Sequence, residues 1–165
     1  MRTLASFLVL IVAVLLRANT ANADTIFKAI LTGDQEVPPV DTQAVGRVKI
    51  RVNDTLTAAE VSLTVFDGVR VQQAHIHCAP AGANGPVVVW FAGMRAEGWD
   101  IDGEWISNLT FTDANVIDPT CGTTVADIVQ AMINGNVYAN VHTVAHPGGE
   151  LRGQVAPVSC PGGGN

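Results

Sequence analysis

Arg47-Val-Lys-Ile-Arg-Val52 alternates basic and branched aliphatic residues without a break. Asn53-Asp-Thr55 follows, and Leu56-Thr-Ala-Ala-Glu-Val-Ser-Leu-Thr-Val-Phe66 answers with a second alternating run. Strand side chains project to opposite faces in turn, so Val48, Ile50 and Val52 share one side and Arg47, Lys49 and Arg51 the other. Val61, Leu63 and Val65 supply a matching apolar face, and the polar triplet between the runs is turn chemistry. The stretch reads as an antiparallel hairpin with one buried and one wet face, and it puts the chain in the all-β class.

The pattern continues outward in both directions. Phe27 to Leu31 is a short apolar strand, and Thr32-Gly-Asp-Gln-Glu-Val-Pro-Pro-Val40 after it is an irregular connection, because two successive prolines cannot donate to a ladder. Asp67-Gly68 ends the hairpin and Val71 to His77 is the next strand. Val87 to Phe91 is a continuous apolar run that suits a strand covered on both sides or tucked under a loop. From Gly93 to Pro119 the alternation weakens, with Trp105 to Leu109 as an edge strand. Thr124 to Ile133 is the one convincing helix, with Val125, Ile128, Val129 and Met132 at helical spacing and Asn134-Gly135 as its stop. Val137 to Thr143 and Leu151 to Val155 are two further strands, joined through a Pro-Gly-Gly turn. Seven or eight short strands separated by turn signals predict an antiparallel Greek-key sandwich or barrel with one short helix.

The ends of the chain bear on compartment. Residues 1–23 combine Arg2, an apolar run from Leu4 to Leu16 and Ala21-Asn-Ala23, which reads as a cleaved signal peptide with Asp24 as the new N-terminus. The apolar run is short for a bilayer span. Residues 24–157 then form one β domain, and residues 158–165 a Pro/Gly-rich flexible tail. Cleavage removes two of nine basic residues and none of fifteen acidic ones, so the formal charge moves from −6 to −8. An acidic chain without a basic run argues against nucleic acid and against an anionic membrane surface once the leader is gone. The expected location is secreted or periplasmic, where disulfides persist. Of three cysteines, Cys78 and Cys121 are the favoured pair, and a bridge or a dimer through Cys160 stays open.

The four histidines fall in two segments, Ala74-His-Ile-His-Cys78 and Asn140-Val-His-Thr-Val-Ala-His146. His75 and His77 share one strand face about 6–7 Å apart. In the later strand Val137, Ala139 and Val141 are the apolar side, which leaves Tyr138, Asn140 and His142 opposite, while Arg152 lies on the polar side of the last strand. The polar faces together would present His75, His77, His142 and Arg152 on one outer surface. These histidines are candidate metal ligands, with His146 as a fourth if its turn folds back. Imidazole suits copper, favoured by the Irving–Williams order, with zinc as the alternative. Binding of neutral imidazole is expected to weaken below about pH 6. The competing reading is that the histidines bond to backbone groups of the Ala79–Pro86 loop and hold it down. Asn140 and Arg152 could support the site or guide an anion, although pairing of Arg152 with Glu150 or a loop acid is the simpler expectation.

Phe27-Lys-Ala-Ile-Leu-Thr-Gly-Asp-Gln-Glu-Val-Pro-Pro-Val40, Ala74-His-Ile-His77, Asn84-Gly-Pro-Val-Val88, Tyr138-Ala-Asn-Val-His-Thr143 and Gly149-Glu-Leu-Arg-Gly-Gln-Val155 resemble the CHRD family, in order and over nearly all of the chain after the leader. The resemblance implies an exported all-β module. It departs from the family at Cys78, where a small residue is expected, and His146 stands at a variable position. A weaker likeness is to copper-zinc superoxide dismutase, in which His75, His77 and His142 would correspond to copper ligands. The bridging histidine and zinc cluster of that family have no counterpart here.

Three functions of different class follow: an exported copper-binding protein for storage, delivery or electron transfer; an extracellular interaction module without chemistry, its partner another protein or a second copy; and a copper enzyme acting on a small oxygen species. No serine or cysteine nucleophile stands beside a base, which argues against hydrolysis. There is no phosphate-cradling glycine loop between a strand and a helix.

Overall fold

The computed structural model describes residues 24–99 and 103–158. Its strands are β1 (Thr25–Leu31), β2 (Val45–Val52), β3 (Ala58–Phe66), β4 (Val71–Cys78), β5 (Val87–Ala92), β6 (Glu104–Thr112), β7 (Val137–Thr143), β8 (Leu151–Gln154) and β9 (Ala156–Pro157), with one helix, α1 (Val125–Ile133). The expected hairpin is β2–β3, paired antiparallel from Val45↔Phe66 to Val52↔Ala59. Asn53 closes its turn, its side-chain carbonyl accepting from the N–H groups of Thr57 at 2.9 Å and Ala58 at 3.2 Å.

Two antiparallel sheets face each other, in strand orders β6-β3-β2-β1-β9 and β5-β4-β7-β8. The all-β reading holds, and the architecture is a sandwich. Phe27, Ile50, Leu63 and Phe111 from the first sheet and Ile76, Val141 and Leu151 from the second are fully buried between them, together with Ile128 and Met132 of α1. The sheets are stitched where β1 ends: Thr32 N–H donates to Arg152 O at 3.0 Å, and Arg152 N–H to Thr32 O at 3.2 Å. That approach requires glycine at 153, where a Cβ would lie 2.3 Å from Ile30 O. Thr124 caps α1 through a reciprocal bond with Asp127, as its start signal predicts.

Three details differ from the sequence reading. β6 runs on to Thr112 and pairs with β3 over nine positions. Its alternation looked weak because Ser107 faces inward, where its hydroxyl donates to Phe91 O at 2.8 Å. The run from Val87 is an edge strand with Trp90 on its outer side, 38% exposed, so cover on both sides is incorrect. Val88 and Val89 are both buried because the β4–β5 register shifts there, and the segment after β6 lies along the outer edge of β5, Ile117 N–H donating to Val88 O at 3.0 Å. The short β9, missed in the sequence, pairs with β1 through Phe27↔Pro157, and Val158 N–H then donates to Ile26 O at 2.9 Å.

Cys78 and Cys121 form the expected disulfide, tying the end of β4 to a 3-10 turn at Pro119–Cys121, with a Cα separation of 5.7 Å. Residues 1–23, where the sequence reading expects a leader, and Cys160 with the rest of the expected tail lie outside the described residues.

Candidate metal centre

On the outer face of the second sheet, the antiparallel register builds rows of side chains across the strands. One row is Trp90, His75, Asn140 and Arg152, and the next is His77, Tyr138 and Gln154. His142 lies opposite Gln73 on the other side of the first row. The histidine side chains therefore point away from the core, as their alternation predicts.

The expectation that this face meets solvent is incorrect. His75 and Arg152 are each 2% exposed, Asn140 is 4% exposed, and His142 is also buried. Alternation reveals which face a side chain takes but not whether a loop lies over that face. Here polar segments cover it. Glu36, beside the paired prolines, accepts from Asn140 Nδ2 at 2.6 Å. The Ala79–Pro86 loop crosses the His77–Arg152 side, and the Val144–Glu150 turn lies over His142.

Each cover segment is bonded to the side chains beneath it. His77 Nδ1 donates to Gly85 O at 2.8 Å, and His142 Nδ1 donates to Pro147 O at 2.8 Å. The His77 ring stacks on Tyr138 at 4.6 Å and 7°. The Arg152 guanidinium carbon lies 3.5 Å from the Tyr138 ring centroid. Gly85 comes so near the end of β4 that a Cβ there would overlap Cys78 O. Arg152 donates to Asn84 Oδ1 at 3.0 Å, Ala83 O at 2.7 Å and Pro80 O at 3.3 Å.

The expected Arg152–Glu150 pairing does not form. Glu150 instead accepts from the hydroxyls of Thr42 at 2.6 Å and Thr143 at 2.5 Å. Neighbours along a strand project to opposite faces, so residues 150 and 152 share a side only if the strand already runs at 150. Here β8 begins at Leu151.

A carbonyl oxygen can only accept, so the bonds to Gly85 and Pro147 place the proton of His77 and of His142 on Nδ1 and leave a lone pair on each Nε2. Both Nε2 atoms, and Nδ1 of His75, are buried without a hydrogen-bond partner among the described residues. The three rings sit together, with His75 4.5 Å from His77 and 4.7 Å from His142 between centroids. One ring nitrogen from each histidine lies within 4.8 Å of the others. Ligands bound at about 2 Å can be at most about 4 Å apart, so a shift of less than about 1 Å would bring all three onto one ion. His146 stands outside this group; its backbone N–H bonds to Thr143 O and Oγ1 within the turn.

Burial lowers the pKa of all three histidines. His75 is pushed down to about 2, by burial first and then by the neighbouring imidazoles, and His77 and His142 are lowered by burial. The rings are thus neutral, the form that ligates, and protonation begins at lower pH than exposed histidines would show. Burial also raises the Glu36 carboxyl and the Tyr138 phenol.

Sequence reasoning overlooked Glu36 and Trp90, and gave Glu150 the wrong partner. Trp90 meets the His75 ring edge-on at 4.8 Å. Glu36 had a signal, as an acid held in an irregular segment by two following prolines.

The site is a cluster of three neutral imidazoles roofed between one sheet of a β-sandwich and the chain's own loops. The CHRD domain matches residues 27–155, and the chain belongs to the CHRD family. No curated protein and no solved structure matches the chain at a significant level, so the weaker likeness to copper-zinc superoxide dismutase gains no support. Among the described residues no helix is long and apolar enough to cross a membrane.

Proposed function

We propose that the protein is an exported CHRD module that binds one copper ion through His75, His77 and His142. The observation that carries this is the set of three buried ring nitrogens without partners. A buried polar atom left unpaired costs about 1–3 kcal/mol, and three of them on rings packed against one another favour a ligand that takes up their lone pairs. Copper is preferred to zinc for imidazole donors. Export is supported by the leader-like residues 1–23 and by the disulfide.

The Nδ1 bonds to Gly85 and Pro147 favour the second reading, in which the histidines pin loops of an interaction module. His75 makes no such bond and separates the two readings. Calorimetric titration of Cu(II) into the metal-free protein and into His75→Ala/His142→Ala decides between them. One equivalent bound by the wild type and loss of that binding in the variant are expected. Equal affinity in the two leaves the interaction module standing.

A further inference from the structure

Four of the seven basic residues that follow the leader, Lys28, Arg47, Lys49 and Arg51, emerge on the outer face of the five-stranded sheet. The basic residues never run consecutively along the chain, so folding alone assembles this face. Lys28 lies directly opposite Lys49 in the β1–β2 register. Opposed like charges destabilise a strand pair. Among the described residues, carboxylates come within ion-pairing distance of Arg51 alone, through Asp24 at 2.6 Å and Glu60 at 3.0 Å. Arg47 lies over the Phe66 ring instead. Lys28 and Lys49 are therefore held together without compensation in a protein whose formal charge after leader removal is −8.

The same face is furrowed. A groove of about 410 Å³ holds Lys28, Arg47, Lys49 and the hydroxyls of Ser62 and Thr64. It shares Lys49 and Ser62 with a second groove of about 480 Å³, which runs past the Arg51–Glu60 ion pair and continues over Asn108 and Thr110. Neither is lined by an aromatic side chain, so a nucleic acid base has nothing to stack on. Asp24, Glu60 and Glu104 flank the cations on this side of the sheet, so a broad anionic surface such as a bilayer would be repelled at the margins. What suits the furrow is a single extended chain that brings anions to Lys28 and Lys49 and hydroxyls to Ser62, Asn108 and Thr110. We propose that this furrow binds an acidic polysaccharide, its carboxylate or sulfate groups seated between the opposed lysines. The site lies on the opposite sheet from the histidines and does not depend on a metal.

The test titrates the intact exported protein with polygalacturonate, dextran sulfate and neutral dextran at several salt concentrations, alongside vesicles of anionic lipid. Binding to at least one polyanion and none to neutral dextran is expected, and the two polyanions distinguish carboxylate from sulfate recognition. With three cations engaged, the slope of log affinity against log salt should be near −2, taking about 0.7 counterion released per neutralised charge. Lys28→Glu/Lys49→Glu should weaken binding about tenfold or more, and Lys28→Arg/Lys49→Arg should retain it. The double reversal still opposes like charges, so its denaturant midpoint should match the wild type. Absence of polyanion binding at low salt, preference for the vesicles, or unchanged binding by a folded Lys28→Glu/Lys49→Glu would each overturn the proposal.

Discussion

Replacing Arg152 by methionine should release the loop that roofs the histidines. The guanidinium is buried, holds three acceptors in Pro80, Ala83 and Asn84, and touches the face of Tyr138. Its acceptors lie in a largely exposed loop and can be rehydrated, so each lost bond should cost about 1 kcal/mol, below the usual range for a charged donor. Loss of the buried cation–π contact adds about 1–2 kcal/mol. Against this, a buried cation without an ion pair no longer has to be desolvated, and methionine keeps part of the packing. The net expectation is a loss of about 2–4 kcal/mol, near 10 °C in melting temperature for a domain of this length.

Urea unfolding of metal-free Arg152→Met and wild type, with the disulfide intact, measures the loss. Amide exchange at Gly85 and Cys78, whose N–H bonds to Pro86 O at 3.0 Å, should rise in the native state. Copper affinity should fall about 10–100-fold, the usual effect of loosening a partner that orients a ligand. A loss below about 1 kcal/mol, or unchanged exchange at Gly85, would refute the assignment of Arg152 as the loop's anchor.

Acid should destabilise the metal-free protein well before its carboxylates titrate. The folded pKa of His75 lies near 2, below its unfolded value of 6.5, so the unfolded chain takes up the proton first. Stability is then full above about pH 6.5 and falls with pH, by about 2 kcal/mol from His75 alone between pH 7 and pH 5. Glu36, with a raised pKa, acts in the opposite sense, so the urea midpoints are compared in a Glu36→Gln background; the same pH slope in His75→Gln would refute the reasoning. Cys78→Ala/Cys121→Ala opens a loop spanning 43 positions and should cost about 4 kcal/mol by chain entropy, read from denaturant midpoints; a loss under about 1 kcal/mol would contradict it. The intact mass of exported material should correspond to a chain beginning at Asp24, and a mass retaining residues 1–23 would rule out leader cleavage.

The strands were legible wherever one face is dry and the other wet. Arg47-Val-Lys-Ile-Arg-Val52 alternates because its cations meet solvent and its aliphatics meet the core. That periodicity fades in β6, where Ser107 faces inward to serve Phe91, and in β5, where the shifted register buries adjacent valines. The two-residue β9 is too short to carry a period.

The histidine triad was legible by face, since His75, His77 and His142 all stand on the polar side of their strands. Its burial was not. The cover comes from irregular segments whose bonds run between residues far apart in the chain, such as Asn140 to Glu36 and Arg152 to Asn84, and local pattern carries no trace of such pairs. The expected pairing of Arg152 with Glu150 failed for the same reason. A nearby acid in sequence seemed its natural partner, whereas the carbonyls of a loop about 70 residues away satisfy it.

The edge-on contact between Trp90 and His75 gives the protein an optical signal of its own. The three tryptophans divide into two kinds of emitter: Trp99 and Trp105, packed together at 5.4 Å, and Trp90, alone and partly exposed against a candidate ligand ring. Trp90 should therefore emit at longer wavelength than the buried Trp105. An open-shell ion held by His75, as proposed, would sit close enough to drain its excited state, so the red side of the fluorescence should fade first while the blue side persists. Occupancy of the site would then be readable as a change in spectral shape, without label or chromophore added.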